Sequence, residues 1–166
     1  PSHQLMIDDL TIADCKLSDV VKEIQVLYLS DDRPWIIGFS GGKDSTTILS
    51  LIYHALLGLD KEQLTKHIYV VSSDTLVETP VVVDMILSVL ETINITGHPV
   101  RPQPDQTFWV NLLGRGYPAP TQSFRWCTER MKIDPVSNFI LETVAKHGEV
   151  IVVLGSRSQE SSSRAQ

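Results

Sequence analysis

A short polar turn, Ser40-Gly41-Gly42-Lys43-Asp44-Ser45, interrupts an apolar stretch and restricts the possible fold more than any other feature. The residues before it, Trp35 to Phe39, form a continuous apolar run that is typical of a strand buried on both faces. Helical spacing of apolar residues begins directly after it, at Ile48. A glycine-rich turn between a strand and a helix exposes backbone N–H groups at the positive end of the helix. The sequence therefore predicts an anion site in an α/β fold.

The remainder of the chain alternates between strand-like and helix-like patterns. Helical spacing covers residues 15–29, and N-terminal helix signals occur at Thr79-Pro80 and Asp134-Pro135, the second helix stopping at Gly148. Further strands are predicted at 67–71, 98–101 and 149–154, and an ordered loop with short helical turns at 102–130. This alternation calls for a parallel sheet with helices on both faces, so we expect a single domain over residues 1–166.

Composition limits the class of protein and its compartment. Apolar residues make up 42% of the chain, which is enough for a core, and the net charge of −6 argues against a stand-alone DNA clamp. Only two cysteines occur, Cys15 and Cys127, which argues for a reducing compartment. There is no signal-peptide pattern and no apolar run of membrane-spanning length. We therefore expect a cytoplasmic protein without a membrane partner.

The residue types in the turn suit a phosphate group. Gly41 and Gly42 lack the Cβ atoms that would block close approach, Ser40 and Ser45 offer hydroxyl donors, and Lys43 adds positive charge. The spacing fits neither the Walker A motif nor the G-x-G-x-x-G dinucleotide fingerprint. The alternative is a tight strand-to-helix turn without a ligand, but the clustering of serine, lysine and aspartate favours an anion site.

The turn resembles the PP-loop of the ATP pyrophosphatases, whose signature SGGxDS directly follows the first strand. The resemblance implies an adenine nucleotide alpha hydrolase-like three-layer sandwich with a mainly parallel central sheet. It also implies binding of ATP with Mg²⁺ and cleavage between the α and β phosphates, with Lys43 and Asp44 in the catalytic set. Asp44 either helps to hold Mg²⁺ or accepts backbone hydrogen bonds in the turn, the second being favoured.

Two further segments resemble the phosphoadenylylsulfate (PAPS) reductases. Residues 72–80, SSDTLVETP, are similar to that family's D-T-G-x-x-x-x-E-T region, and residues 154–165, LGSRSQESSSRA, to its G-x-R-x-x-E-S-x-x-R-A segment. Both follow predicted strands, so they lie on the edge of the sheet where ligands bind in open α/β folds. Asp74 is then expected to orient a ribose, a lysine or a metal, and Arg157 and Arg164 to hold a phosphate or sulfate.

The middle of the chain resembles one branch more closely. The segments TFWVNLLGRGYPAP (107–120) and FRWCTERMKI (124–133) are similar to the DndC proteins of DNA phosphorothioation, with the related SspD proteins as an alternative. The resemblance implies replacement of a non-bridging phosphate oxygen of DNA by sulfur. ATP would activate the target, a cysteine desulfurase partner would supply the sulfur, and other phosphorothioation proteins would present the DNA.

The resemblance also implies a four-iron, four-sulfur cluster, which normally needs four thiolates. Cys127 matches the R-W-C-T position and is the only candidate ligand, and Arg125, Arg130 and Lys132 are expected to lower its pKa. Cys127 as a buried structural thiol is the alternative. We expect the chain to be truncated on its C-terminal side, with any remaining ligands beyond it.

Two other functions stay open at this point. A sulfonucleotide (PAPS-type) reductase would use the same nucleotide site but needs a redox cysteine. A nucleotide-sensing module would bind ATP to control partners without releasing pyrophosphate.

Overall fold

The computed structural model describes residues 11–12, 15–92 and 96–156. Their strands are β1 (Thr11–Ile12), β2 (Cys15–Lys16), β3 (Trp35–Gly38), β4 (Ile68–Ser73), β5 (Gly97–Val100) and β6 (Ile151–Val153). The α-helices are α1 (Leu17–Leu29), α2 (Lys43–Leu57), α3 (Pro80–Thr92), α4 (Trp126–Thr128) and α5 (Asp134–His147). Short 3₁₀ turns cover Lys61–Gln63 and Pro104–Gln106, and π-helical turns cover Val110–Gly114 and Glu129–Ile133.

Four of the strands form one parallel sheet in the order β5-β4-β3-β6. The strands connected through α2 and α3 extend the sheet in one direction from β3, whereas β6 returns to its other side. The connection that leaves β3 leads through α2 to β4, away from β6, so the strand order reverses between β3 and β6 and opens a crevice at the carboxyl ends of these neighbouring strands.

The main core lies between the sheet and helices α1, α2 and α3. Apolar residues of period two on the strands meet helical stripes there, and the buried cluster consists of Tyr28, Trp35, Ile37, Phe39, Leu49, Ile52, Leu56, Val70 and Leu90. Helix α5 covers the opposite face, where the Phe139 ring lies 5.8 Å from Tyr69 and 5.6 Å from His98. The α/β fold with helices on both faces is thus confirmed.

Several local expectations are confirmed and others are wrong. Helix α3 begins at Pro80, and α5 ends before Gly148, whose φ of 83° closes the helix. Cys15 is not helical, because β2 pairs with β1 in a two-stranded antiparallel hairpin and α1 begins only at Leu17. Strands β4 and β6 are shifted or shorter than predicted, since pairing with β3 rather than apolar character sets where they end.

The predicted loop at 102–130 contains short helical turns, as expected, but its last residues, from Trp126, already belong to a longer helical segment. Trp126 to His147 runs as α4, a π-helical turn and α5 without a break. Pro135 has no N–H to donate, and the Asp134 N–H bonds to the carbonyl of Glu129, five residues back. No described helix is both long enough and apolar enough to cross a membrane.

Candidate functional site

Three polar segments meet at the carboxyl edge of the sheet. The turn at 40–42 leaves β3, residues 74–79 leave β4, and Gly155-Ser156 leave β6. A cleft of about 390 Å³ lies among them, lined by Gly38, Phe39, Ser40, Ser45, Val71, Ser73, Glu78, Ile86, Lys132, Val136, Leu154, Gly155 and Ser156. The cleft occupies the crevice between β3 and β6, where open α/β sheets bind their ligands.

The turn at 40–45 has the backbone that its glycines allow. Gly41 has a φ of 72°, a left-handed conformation that favours glycine, and Gly42 is the extended residue before α2. The first α-helical bond runs from the Thr46 N–H to the Gly42 carbonyl, at 3.0 Å. The first turn of a helix has no carbonyls of its own for its N–H groups, so it is suited to an anion.

Ser40 and Ser45 hold this turn together rather than pointing away from it. The buried Ser45 hydroxyl donates to the Gly42 carbonyl at 3.0 Å and accepts from the Ser40 N–H at 3.2 Å. The two hydroxyl oxygens are 3.1 Å apart. Because the Ser45 hydroxyl already donates its proton to the Gly42 carbonyl, Ser40 is the donor between the two hydroxyls. In this arrangement both hydroxyl protons bond within the turn, and their role as donors to a ligand stays a prediction.

Gly155 brings the segment after β6 against the turn. A Cβ atom at this position would lie 2.8 Å from the Asp44 carbonyl oxygen and 3.0 Å from the Ser45 nitrogen, both of them backbone atoms. Only glycine permits this approach without displacing the first turn of α2. Arg157 and Arg164, the predicted anion ligands that follow, lie outside the described residues.

Lys132 and Glu78 are site residues that the sequence reasoning missed. The Lys132 ammonium is 3.7 Å from the Glu78 carboxylate, and both side chains line the cleft. The buried Thr75 hydroxyl donates to the same Glu78 oxygen at 3.1 Å. Lys132 belongs to the π-helical turn before α5, which positions its side chain at the cleft. The pattern T-x-x-E is a local signal for the Thr75–Glu78 pair, but nothing local indicates their pairing with Lys132.

Asp74 stabilises the turn that follows β4. One of its oxygens accepts the Leu76 N–H at 3.1 Å, and the other accepts the Arg101 Nε–H at 2.7 Å. Leu76 has a φ of 60°, which is unusual for a residue with a side chain. Asp74 is not among the described residues that line the cleft, and its role toward a ribose, a lysine or a metal stays a prediction.

Cys127 is half-buried on α4, and two of the three cations expected around it are directed elsewhere. The Arg130 guanidinium donates to Gln106 and, at 3.1 Å, to the Tyr117 hydroxyl, while Lys132 lies at the cleft. Activation of this thiol stays a prediction.

Trp126 and Phe108 pack against each other: their rings stack with centroids 5.4 Å apart, and the Trp126 indole donates to the Pro118 carbonyl. Trp109, by contrast, is 57% exposed. Arg115 stabilises the loop by hydrogen bonds to Asp105, Gln106 and the buried Asn111.

A four-iron cluster does not fit the thiols of this chain. The sequence holds two cysteines, and the described residues contain no group of three or more histidine, cysteine or acidic side chains placed to share a metal. Magnesium requires fewer protein ligands, because it is commonly bound by one or two carboxylates together with phosphate oxygens. Glu78, on the wall of the cleft, suits that role, and Asp44 lies in the first turn of α2.

Two solved structures share the fold. The NH₃-dependent NAD synthetase of Campylobacter jejuni, determined with a nitrate ion, superposes with a TM-score of 0.58 at 14% identity, covering 88% of this chain and 59% of that one. The PAPS reductase of Candida auris, in a phosphate complex, gives 0.59 at 16% identity over 91% and 71%. These likenesses, with the parallel sheet, establish an adenine nucleotide alpha hydrolase-like fold.

Sequence comparison gives the family. An uncharacterized protein of Methanocaldococcus jannaschii is 31% identical over 142 residues, which are 86% of this chain and 26% of that protein. The chain thus spans about a quarter of the length of this curated relative. The model of the phosphoadenosine phosphosulfate reductase domain matches residues 34–166, which include all three polar segments at the cleft. The chain belongs to the phosphoadenosine phosphosulfate reductase domain family.

Proposed function

We propose that the chain is an ATP-dependent sulfurtransferase of a DNA phosphorothioation system. The observation that carries the nucleotide part is the turn at 40–45, shaped by Gly41 and the serine pair and open to a cleft at the crevice of the sheet. The DNA part is supported by the resemblance of residues 107–120 and 124–133 to the DndC and SspD proteins.

In this proposal the phosphates of ATP lie against the first turn of α2. The backbone N–H groups and Lys43 neutralise the leaving pyrophosphate, and Lys132, on the opposite wall, faces the same space. Magnesium, when bound, would supply further charge neutralisation, with Asp44 or Glu78 as its protein ligand. A DNA phosphate oxygen attacks the α-phosphorus, the bond between the α- and β-phosphates breaks, and pyrophosphate leaves with the bonding electron pair.

A persulfide formed on Cys127 by a cysteine desulfurase then attacks the activated phosphorus through its terminal sulfur, and the oxygen leaves with AMP. Two free thiols, such as the cysteine supplied to the desulfurase, reduce the remaining S–S bond and become a disulfide, which leaves the phosphorothioate on the DNA and a thiol on Cys127. The helical segment from Trp126 to His147, which contributes Lys132 to the cleft, contains one thiol, Cys127. This cysteine is our candidate for receiving that sulfur. Arg157 and Arg164 remain proposed anion ligands, and Asp74 acts through the turn that it stabilises. The protein would work in the cytoplasm.

Pyrophosphate release tests the first half. We expect release from ATP and Mg²⁺ in the presence of DNA, and its loss in Ser40→Ala and Asp44→Ala variants. ATP binding by calorimetry without any release under these conditions would favour a nucleotide-sensing module instead.

Sulfur transfer tests the second half. With a desulfurase, cysteine and ATP present, we expect nuclease-resistant phosphorothioate dinucleotides by mass spectrometry. Cys127→Ser is expected to keep ATP binding and lose transfer. Normal transfer by this variant would remove Cys127 from the site.

A sulfonucleotide reductase is the second candidate, because the matching family model is that of the PAPS reductase domain. It requires a reducing thiol, for which Cys127 is again the candidate. Release of sulfite from PAPS with a thiol reductant, and no pyrophosphate release from ATP, would decide for this function.

A further inference from the structure

The charges of this chain are divided unevenly along its length. Residues 101–133, which we call the basic segment, contain five basic and two acidic residues, whereas the whole chain contains 14 and 20. The remainder therefore has nine basic and eighteen acidic residues. A net positive segment in an otherwise acidic chain indicates a place for a polyanion.

The basic segment lies beside the nucleotide cleft. Arg101 follows β5 at the carboxyl edge and bonds to Asp74, which follows β4. Arg130 and Lys132 belong to one π-helical turn, Arg130 lining a polar cavity of about 460 Å³ and Lys132 the cleft itself. An anionic chain held on this segment would thus reach the nucleotide.

Aromatic side chains give the segment a rigid frame with exposed ends. Ring contacts of 5.2 to 6.3 Å between centroids run from Trp109 through Phe108, Trp126 and Tyr117 to Phe124. Trp126 is buried, but the two ends of the series, Trp109 and Phe124, are 57% and 44% exposed. A large ring fixed at its base and open to solvent is a platform for an unpaired nucleobase.

Two arginines near this frame are available for phosphates. Arg125 is exposed, and its side chain makes no hydrogen bond or ion pair with another described residue. The Arg101 side chain is bound to Asp74 through Nε but is 63% exposed, so its guanidinium group is also open to solvent. Planar guanidinium groups of this kind bind phosphate through paired hydrogen bonds.

We propose that the basic segment holds a single strand of nucleic acid beside the cleft, with a base stacked on Trp109 and phosphates bound by Arg125 and Arg101. The inference rests on the proposed function, since this strand is the substrate there. A duplex is disfavoured because its paired bases cover the faces on which the indole would stack.

Fluorescence provides a direct test, because Trp35 and Trp126 are each only 4% exposed. We expect a single-stranded 20-mer of thymidine to quench the emission of Trp109. Trp109→Phe should retain most of the affinity, measured by anisotropy of the labelled strand, but lose the quenching. Trp109→Ala should weaken binding by about 5- to 100-fold, the range of one lost stacking contact.

Charge reversal tests the phosphate contacts. Arg125→Glu should weaken binding and make it less sensitive to salt, because one phosphate contact is lost. Lys61→Glu, the same change at the opposite edge of the sheet, is the matched control and should leave binding unchanged. Equal losses in both variants would overturn the proposal.

Three other outcomes are decisive. Absence of binding to any oligonucleotide at low salt, with ATP still bound, overturns this inference but leaves the nucleotide site standing. Tighter binding of the duplex than of the single strand also overturns it. Equal or tighter binding of a uridine 20-mer supports the surface but contradicts DNA as the substrate of the proposed function.

Discussion

The two edges of the same sheet differ in the burial and the pairing of their lysine side chains. At the amino edge, the Lys66 side chain is 2% exposed, pairs with Asp31 at 2.8 Å and lies over the Tyr28 ring. At the carboxyl edge, Lys43 is exposed and Lys132 stands at the wall of a cleft, 3.7 Å from its nearest carboxylate. A buried charge with a close partner is a structural element, whereas cations left open to a cavity are suited to a ligand.

Packing shows the same contrast. The indole of Trp35 closes over the amino-edge cluster, with its ring 5.5 Å from Tyr28. At the carboxyl edge, Gly155 lies so near the backbone of the first turn of α2 that a Cβ atom would come within 2.8 Å of the Asp44 carbonyl oxygen. Changes at the amino edge should therefore alter stability, and changes at the carboxyl edge should alter nucleotide binding.

The largest expected effect is that of Gly155→Val. Its side chain would displace the first turn of α2, and losing two or more charge-assisted bonds to phosphate should weaken ATP binding by more than about 100-fold. Calorimetry with ATP and Mg²⁺ gives the affinity. Gly58→Val, beyond the far end of α2, is the control, because its Cβ meets chiefly the flexible Gln25 side chain. Equal affinities for Gly155→Val and wild type would contradict the proposed nucleotide site.

Lys43→Ala should have the next largest effect. Loss of one charge-assisted hydrogen bond weakens ATP binding by about 1–3 kcal/mol. The melting temperature without nucleotide should stay unchanged, since Lys43 is exposed. Lys61→Ala removes a lysine at the amino edge and should leave ATP affinity as it was. Unchanged affinity in Lys43→Ala would exclude this lysine from the site.

Asp31→Asn should affect stability alone, because it leaves the buried Lys66 ammonium without its carboxylate. Hydrogen bonds from Lys66 and Arg33 hold the pKa of Asp31 well below its usual range. A lowered carboxyl pKa contributes stability that is present above about pH 4 and lost as pH falls further. Melting temperatures should therefore differ by several degrees at neutral pH and converge in acid.

The double variant Asp31→Asn/Lys66→Met sharpens this prediction. Removing the stranded ammonium should recover part of the lost melting temperature, because an apolar side chain suits the Tyr28 and Trp35 rings. ATP affinity should stay at the wild-type value in both variants. A variant that loses nucleotide binding while folded would break the division between the two edges.

The smallest expected effect is at Leu76, whose φ is 60° and whose side chain is half exposed. Glycine relieves the cost of the left-handed backbone but adds freedom to the unfolded chain. Leu76→Gly should therefore change the free energy of unfolding by no more than about 1 kcal/mol, towards stability. Denaturant unfolding measures this free energy. A clear destabilisation would mean that contacts of the Leu76 side chain contribute more free energy than the left-handed backbone conformation costs.

Local patterns predicted the elements whose cause is local. Some residues act only on the backbone a few positions away, so their effect could be predicted from the sequence. These are the glycines and serines at 40–45, Pro80 at the start of α3 and Gly148 after α5. The hairpin at Cys15 was missed because strand pairing overrode helical spacing. The bonds of Asp74 to Arg101 and of Glu78 to Lys132 join residues 27 and 54 positions apart, which no pattern along the chain reveals.

The bonded serine pair in the turn has a consequence for the kinetics of nucleotide capture. Because Ser40 and Ser45 already fix the turn through each other and Gly42, its conformational entropy is lost on folding and not when ATP arrives. ATP binding at the proposed site would then require no further ordering of the turn. Its association rate constant should therefore approach the diffusion-limited value. Replacing either hydroxyl transfers that ordering cost to the encounter itself, so the variants should capture ATP more slowly.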